Sequence, residues 1–238
     1  MLFSGKTVFI TGASRGIGAC IARDFRAQGA FVIGTRTSTN STYNDYCDEW
    51  HEADFSSESQ ILRCADFIKE RDVDILINNA GININADFAD IDLEVFKSIQ
   101  MVNLLAPFIL SQSALIKMEQ KGWGRIVNIS SIWGKISKQG RAAYSASKFA
   151  LDGLTVSLSA EYSQKGILAN CIAPGFVDTP LTRASTKPAE LKDLISRVPI
   201  GRLGEVDEIS KYVLWLSSEE NTFMTGQNIA IDGGFTRV

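Results

Sequence analysis

The sequence predicts an α/β fold, one doubly wound parallel sheet of about seven strands flanked by helices on both faces. Three observations predict it. Short apolar runs alternate with amphipathic stretches along the whole chain. The first run feeds a glycine-rich turn that opens a helix. No internal repeat or break in composition divides the 238 residues, so one core suffices.

Thr7 to Thr11 forms a buried strand, and Gly16 to Gln28 follows as a helix that Gly29 stops. Phe31 to Thr35 makes the second strand. A short third strand is expected near His51-Glu52-Ala53, then a helix from Ser57 to Glu70 and a fourth strand from Val73 to Ile77. The next helix runs from Asp92 to Met118, with a kink expected at Pro107. Arg125 to Ser130 is the fifth strand, Ala142 to Gln164 a long helix, and Ile167 to Ile172 the sixth strand, ended by Pro174-Gly175. Asp178 to Pro199 reads as polar and irregular, with a helical patch over Ala189 to Ser196. A helix from Val206 to Leu216 and a strand from Gln227 to Ile231 complete the pattern. The polar stretch from Thr35 to Asp48 is the most loop-like.

Hydrophobic residues at 45% and charged residues at 21% suit a soluble globular chain. A net charge of -3 gives no overall basic field for nucleic acid or an anionic membrane. Cys20, Cys47, Cys64 and Cys171 have neither CxxC spacing nor a histidine cluster, so reduced thiols are expected, with Cys20 and Cys171 in the core. His51 is the single histidine and reads as a loop or strand-edge residue, so no metal site is expected. The N-terminus lacks a signal pattern, and no apolar run approaches the roughly 20 residues of a membrane span. Together these features point to a cytoplasmic location.

Two constellations carry chemistry. In Thr11-Gly12-Ala13-Ser14-Arg15-Gly16-Ile17-Gly18 the glycines let the backbone approach a pyrophosphate, whose charge the helix N-terminus favours. The spacing is G-x-x-x-G-x-G, and a purely structural turn is the competing reading. In Tyr144-Ser145-Ala146-Ser147-Lys148 a phenol and an ammonium four residues apart share one helix face. A nearby cation favours phenolate and draws the phenol toward working pH, as a general acid–base requires. In isolation the pair also fits an ordinary solvated helix face.

With these, Asn78-Asn79-Ala80-Gly81, Asn103, Ser130-Ser131 and Pro174-Gly175 stand in an order that resembles the short-chain dehydrogenase/reductase family over essentially the whole chain. Pro199 to Gly204, Thr225-Gly226-Gln227 and Asp232-Gly233-Gly234 resemble that family's ending. The resemblance implies a single Rossmann-like domain over 1–238, binding cofactor through 1–125 and substrate through 126–238. It implies that Tyr144 passes a proton to or from the substrate oxygen, that Lys148 depresses the tyrosine pKa and bonds the nicotinamide ribose, and that Ser131 orients the substrate oxygen. Asn103 would hold a water linking Lys148 to a proton relay. The cofactor would meet Gly12, Ser14, Arg15, Gly16, Ile17 and Gly18 in the loop, and Asp54 at the adenine. Asn79, Ala80 and Gly81 would border the adenosine, with Tyr144, Lys148, Pro174, Gly175, Val177 and Thr179 at the nicotinamide half. Asn79 and Thr179 also read as residues that merely stitch a loop and a turn.

Family members that prefer NAD carry an acid at the end of the second strand, whereas here Arg36 fills that place and no carboxylate occurs from Thr35 through Asn44. Arg36 and Arg15 suit the 2′-phosphate by charge and fork geometry, so NADP(H) is expected over NAD(H). The ending and compact length look most like reductases of 3-oxoacyl groups on acyl carrier protein. The alternatives are a dehydrogenase of a small alcohol, sugar or sugar derivative, and a non-catalytic dinucleotide-binding regulator. Lys121, Lys165, Lys135, Lys138, Arg141, Arg183 and Lys187 are candidates for a basic entrance facing an acyl carrier protein, against the reading of a solvated rim. Trp133 could shape a pocket for a ring or sugar, or pack against a lid. The family also implies a homotetramer or homodimer built partly on the two long helices.

Overall fold

The computed structural model describes residues 1–37, 45–185 and 188–238. Seven parallel strands form one sheet: β1 (Thr7–Ile10), β2 (Phe31–Arg36), β3 (Glu49–Glu52), β4 (Ile75–Asn78), β5 (Gly124–Ile129), β6 (Ile167–Pro174) and β7 (Asn228–Ile231). Their order is β3-β2-β1-β4-β5-β6-β7. The winding reverses between β1 and β4, which opens a crevice at the carboxyl ends of those strands, where open α/β sheets bind ligands.

Alternation along the strands sends successive side chains to opposite faces. Phe9, Ile33, Leu76, Ile126 and Ala169 join one apolar layer, covered by α2 (Glu58–Lys69) and α4 (Ala106–Lys121). Val8, Ile10, Val32, Ile75, Ile77 and Val127 join the other, beneath α1 (Gly16–Ala27) and α8 (Val206–Ser217). α5 (Ala142–Tyr162) joins the first of these layers through Leu158 and packs on β6, α3 (Leu93–Gln100) packs on α5, and α6 (Pro180–Ser185) and α7 (Pro188–Ser196) follow β6 in the chain. The segment after Asp178 is therefore more helical than its composition suggests, because Thr179 Oγ1 accepts from Thr182 N and caps the first turn of α6. Part of the expected loop from Thr35 to Asp48 lies outside the described residues.

The expected kink at Pro107 takes another form. α3 passes into a π-turn over Met101–Leu105 before α4 begins, with the Ala106 N–H bonded to the Met101 carbonyl. Proline has no N–H to give the Asn103 carbonyl four residues back, so the chain widens just before the ring and Pro107 sits in the first turn of α4. The run Leu93–Lys121 is long and apolar enough to cross a membrane by length and composition, contrary to the expectation of no such run. Its Leu110, Ala114 and Met118 are buried in the core.

All four cysteines are buried and free. His51 lies on the edge strand β3, stacked on Phe67 at 4.4 Å, and burial lowers its pKa.

Candidate active site

A cleft of about 380 Å³ opens at the carboxyl ends of the strands, across the β1/β4 crevice. Every residue expected at the cofactor lines it: Gly12, Ser14, Arg15, Gly16, Ile17, Gly18, Arg36, Asp54, Asn79, Ala80, Gly81, Tyr144, Lys148, Pro174, Gly175, Val177 and Thr179. The glycine loop is built around main-chain approach. Gly12 and Gly16 have φ of 66° and 58°, the left-handed region that favours glycine. At Gly18 a Cβ would lie 2.2 Å from the Gly12 carbonyl oxygen, so no side chain fits there.

Asn79 makes the contacts of a residue that stitches two loops. Its Nδ2 donates to the carbonyls of Thr11 at 2.9 Å and Gly12 at 3.0 Å, while Thr11 Oγ1 accepts from the Asn79 and Ala80 N–H groups. The side chain thus stitches the end of β4 to the glycine loop, and the stretch Asn79 to Gly81 faces the cleft. Thr35 Oγ1 accepts from Gly12 N at 3.0 Å and holds the loop from the other side. Thr179 lies across from the loop, since a Cβ on Gly16 would meet it at 3.8 Å. Asp54 faces the cleft with Oδ1 accepting from Ser56 N and Oγ.

Arg36 ends β2 buried beside the cleft. It pairs with Glu52, the residue in register on β3, at 3.5 Å, and its guanidinium lies 5.5 Å from the Trp50 ring centroid. A carboxylate therefore already attends the cation expected to meet the 2′-phosphate.

At the other end stand Ser131, Tyr144 and Lys148. Ser131 leaves β5 and Tyr144 and Lys148 share the first turns of α5. Gly134 lets the two elements meet, because a Cβ there would lie 2.8 Å from the Lys148 carbonyl oxygen. Neighbouring Ser130 is used structurally, donating to that same carbonyl at 3.3 Å. Burial pushes the Tyr144 phenol up, and a hydrogen bond with Ser131 and the charge of Arg141 oppose that rise. Burial pulls the Lys148 ammonium down from 10.5 to about 8, and its Nζ donates to the Ile129 carbonyl at 2.8 Å, 5.7 Å from the Tyr144 ring centroid.

Asn103 sits behind the cleft, outside its lining and fully buried in the π-turn. Its Oδ1 accepts from Ile82 N, and its Nδ2 donates to the Ile82 carbonyl and to Ser147 Oγ. It ties the loop after β4 to α5 beside Lys148.

Sequence reasoning missed Phe176, which lines the cleft and meets Trp133 and Phe235 edge-on at 6.2 and 5.1 Å. Adjacency to Pro174-Gly175 was the one signal for it. Trp133 is buried in that cluster and still lines the cleft. Two expected entrance cations lie elsewhere. Lys121 pairs with Asp74 at 2.9 Å, just before β4, and Lys165 pairs with Glu119 at 2.7 Å, just before β6. Both therefore sit at the amino ends of the strands, away from the cleft. Lys135 donates to the Asn228 carbonyl and Arg183 makes a two-point pair with Asp178. Lys187 lies outside the described residues.

A glycine-loop crevice leading to a serine–tyrosine–lysine cluster defines a dinucleotide-dependent oxidoreductase. Residues 12–236 match the family model described as enoyl-(acyl carrier protein) reductase. The chain is 37% identical over 245 residues to the 3-oxoacyl-[acyl-carrier-protein] reductase of Salmonella typhimurium, covering 100% of both chains. Among solved structures it resembles a putative NAD(P)-dependent gluconate 5-dehydrogenase from Beutenbergia cavernae with bound NADP, at 31% identity, TM-score 0.94 and coverage of 99% and 98%. A gluconate 5-dehydrogenase from Burkholderia cenocepacia in complex with NADP and tartrate gives 30%, 0.91, 99% and 97%. The chain belongs to the short-chain dehydrogenase/reductase family.

Proposed function

We propose that this enzyme uses NADP(H) in preference to NAD(H) to reduce a ketone to a secondary alcohol, or the reverse, with Tyr144 as acid–base. The observation that carries the reading is that Ser131, Tyr144 and Lys148 line the cleft together, with the Lys148 Nζ 5.7 Å from the Tyr144 ring centroid. The residues fit a dinucleotide, since the Gly12–Gly18 cradle admits no side chain at Gly18 and sits at the N-terminus of α1. When bound, the dinucleotide supplies the hydride. Ser131 holds the substrate oxygen, Tyr144 gives it a proton, and Lys148 stands one turn along α5 to stabilise the phenolate left behind. Asn103 fixes the loop–helix geometry behind Lys148. Arg36 and Arg15 receive the 2′-phosphate, and Asp54 accepts from the adenine amino group.

For the substrate we favour a 3-oxoacyl thioester of acyl carrier protein, because full-length relatives at 34–37% identity carry that name. The gluconate dehydrogenases among the structural neighbours favour a sugar acid as the second reading. Exposed Phe108, Ile116, Phe149 and Val156 on α4 and α5 offer a face for a homotetramer or homodimer. A cytoplasmic location fits buried, unpaired thiols. The test is NADPH oxidation with a panel of a β-ketoacyl thioester, diketones, keto sugars and steroids. Turnover of the thioester alone supports the first reading, turnover of keto sugars the second, and a preference for NADH refutes the cofactor assignment.

A further inference from the structure

Thr155 lies in the middle of α5, fully buried and outside the lining of the cleft. It stands seven residues after Lys148, two helical turns or about 10 Å further along the helix. Lys148, Leu151, Thr155 and Leu158, three or four residues apart, form one buried stripe. Leu151 and Leu158 fill this stripe with methyl groups, whereas Thr155 brings a hydroxyl. Its Oγ1 accepts from Asn128 Nδ2 at 2.8 Å, donates to the Leu151 carbonyl at 2.8 Å and lies 3.1 Å from Cys171 Sγ.

The carboxamide that holds Thr155 belongs to a row set by strand register. Asn78 on β4, Asn128 on β5 and Cys171 on β6 are paired neighbours, so their side chains share one face of the sheet. Asn78 Nδ2 donates to Asn128 Oδ1 at 2.8 Å and to Ser111 Oγ on α4 at 3.3 Å. Asn78 Oδ1 is buried with no partner among the described residues. Apolar side chains would bury this surface without that cost. What they lack is direction, because apolar packing tolerates small shifts that a buried hydrogen-bond network forbids.

The row stands just below the residues of the proposed proton transfer. Going up β5 and out of it, Asn128 holds Thr155, the Ile129 carbonyl accepts from Lys148 Nζ at 2.8 Å, and Ser130 Oγ donates to the Lys148 carbonyl at 3.3 Å. Ser131, the next residue, lines the cleft with Tyr144. Four consecutive residues thus grip α5 at two levels and present the serine.

We infer that Thr155 is a positioning residue for the reaction: held by Asn128, it fixes the height and rotation of α5 on the sheet, and with them the places of Lys148 and Tyr144 relative to Ser131. The inference rests on the reading of Tyr144 as the acid–base.

The test follows NADPH oxidation with whichever ketone of the panel above is reduced fastest, and counts binding sites by NADPH fluorescence titration. Wild type is compared with Thr155→Val, Thr155→Ser, Ser113→Ala and Tyr144→Phe. Thr155→Val keeps the shape and removes the hydroxyl, while Ser113→Ala removes a buried hydroxyl that bonds the Ile109 carbonyl within α4. In Thr155→Val kcat per NADPH site should fall about 10- to 100-fold, as a small misplacement of reacting groups brings, with both KM values changed less than about threefold. Thr155→Ser should recover most of the rate, and Ser113→Ala should stay within about threefold of wild type. A lower Tm in Thr155→Val with kcat per site unchanged overturns the inference, since the hydroxyl then only holds the core together. If Thr155→Val does not fold, Thr155→Ala makes the same comparison, and failure of both to fold also overturns it. Wild-type turnover by Tyr144→Phe refutes the reading of the site. Loss of turnover in Tyr144→Phe with full turnover in Thr155→Val refutes this inference alone.

Discussion

Lys148 is expected to be a source of instability that function retains, and Lys148→Met isolates it. The ammonium is 3% exposed, and burial takes its pKa from 10.5 to about 8. That fall corresponds to about 3 kcal/mol of cost for keeping the charge inside at neutral pH. Against this stands the hydrogen bond to the Ile129 carbonyl, whose loss costs about 1 kcal/mol. Methionine fills similar volume without charge, so the variant should gain about 2 kcal/mol near pH 7, or a Tm rise of about 4–8 °C for a chain of this size. Between pH 8 and 10.5 the unfolded chain binds the proton that the native lysine has released, so wild-type stability rises with pH through that window. The advantage of the variant is therefore full below about pH 8 and shrinks toward pH 10.5. Differential scanning fluorimetry of both proteins without cofactor, from pH 6.5 to 10, measures it. A variant that melts below wild type at pH 7, or a difference that ignores pH, refutes the reasoning.

Other residues give sharper functional outcomes. Ser131→Ala removes the hydroxyl that lines the cleft with Tyr144, so kcat should fall about 100-fold or more with NADPH affinity unchanged, as read by stopped-flow and by fluorescence titration. Glu52→Gln relieves Arg36 of its competing carboxylate at 3.5 Å, so the KM for NADPH should fall about 3- to 10-fold and that for NADH should not. Equal changes for both cofactors would place Arg36 away from the 2′-phosphate. Gly18→Ala forces a Cβ to within 2.2 Å of the Gly12 carbonyl oxygen, so NADPH binding should be lost or weakened more than tenfold in calorimetry and Tm should drop.

Short continuous apolar runs and the glycine punctuation made the strands legible, because a sheet covered on both faces needs apolar residues at every position, as Ile75, Leu76 and Ile77 supply. Gly12, Gly18, Tyr144 and Lys148 were legible because backbone approach and helix spacing are local properties. What depended on long-range packing was not. The π-turn at Met101–Leu105 left only Pro107 as a trace in the sequence, and the structure puts the distortion ahead of the ring rather than at it. Lys121 and Lys165 looked like entrance residues because charge is visible in a sequence and strand polarity is not; pairing with Asp74 and Glu119 puts them at the amino ends of the strands. The Arg36–Glu52 pair likewise required the β2–β3 register. Trp133 and Phe235 are about 100 residues apart in sequence and meet through the close packing of the β6 and β7 ends, with Gly175 so close to Asp232 that a Cβ would lie 2.7 Å from its Cα.

The central claim is that Tyr144 moves the proton while NADPH supplies the reducing equivalents. Parallel measurement of NADPH affinity and of NADPH oxidation with an acetoacetyl thioester, in wild type and Tyr144→Phe, tests it most directly. The account predicts unchanged affinity within about threefold and a fall in kcat of about 100-fold to 10,000-fold. Turnover by Tyr144→Phe at the wild-type rate would contradict it.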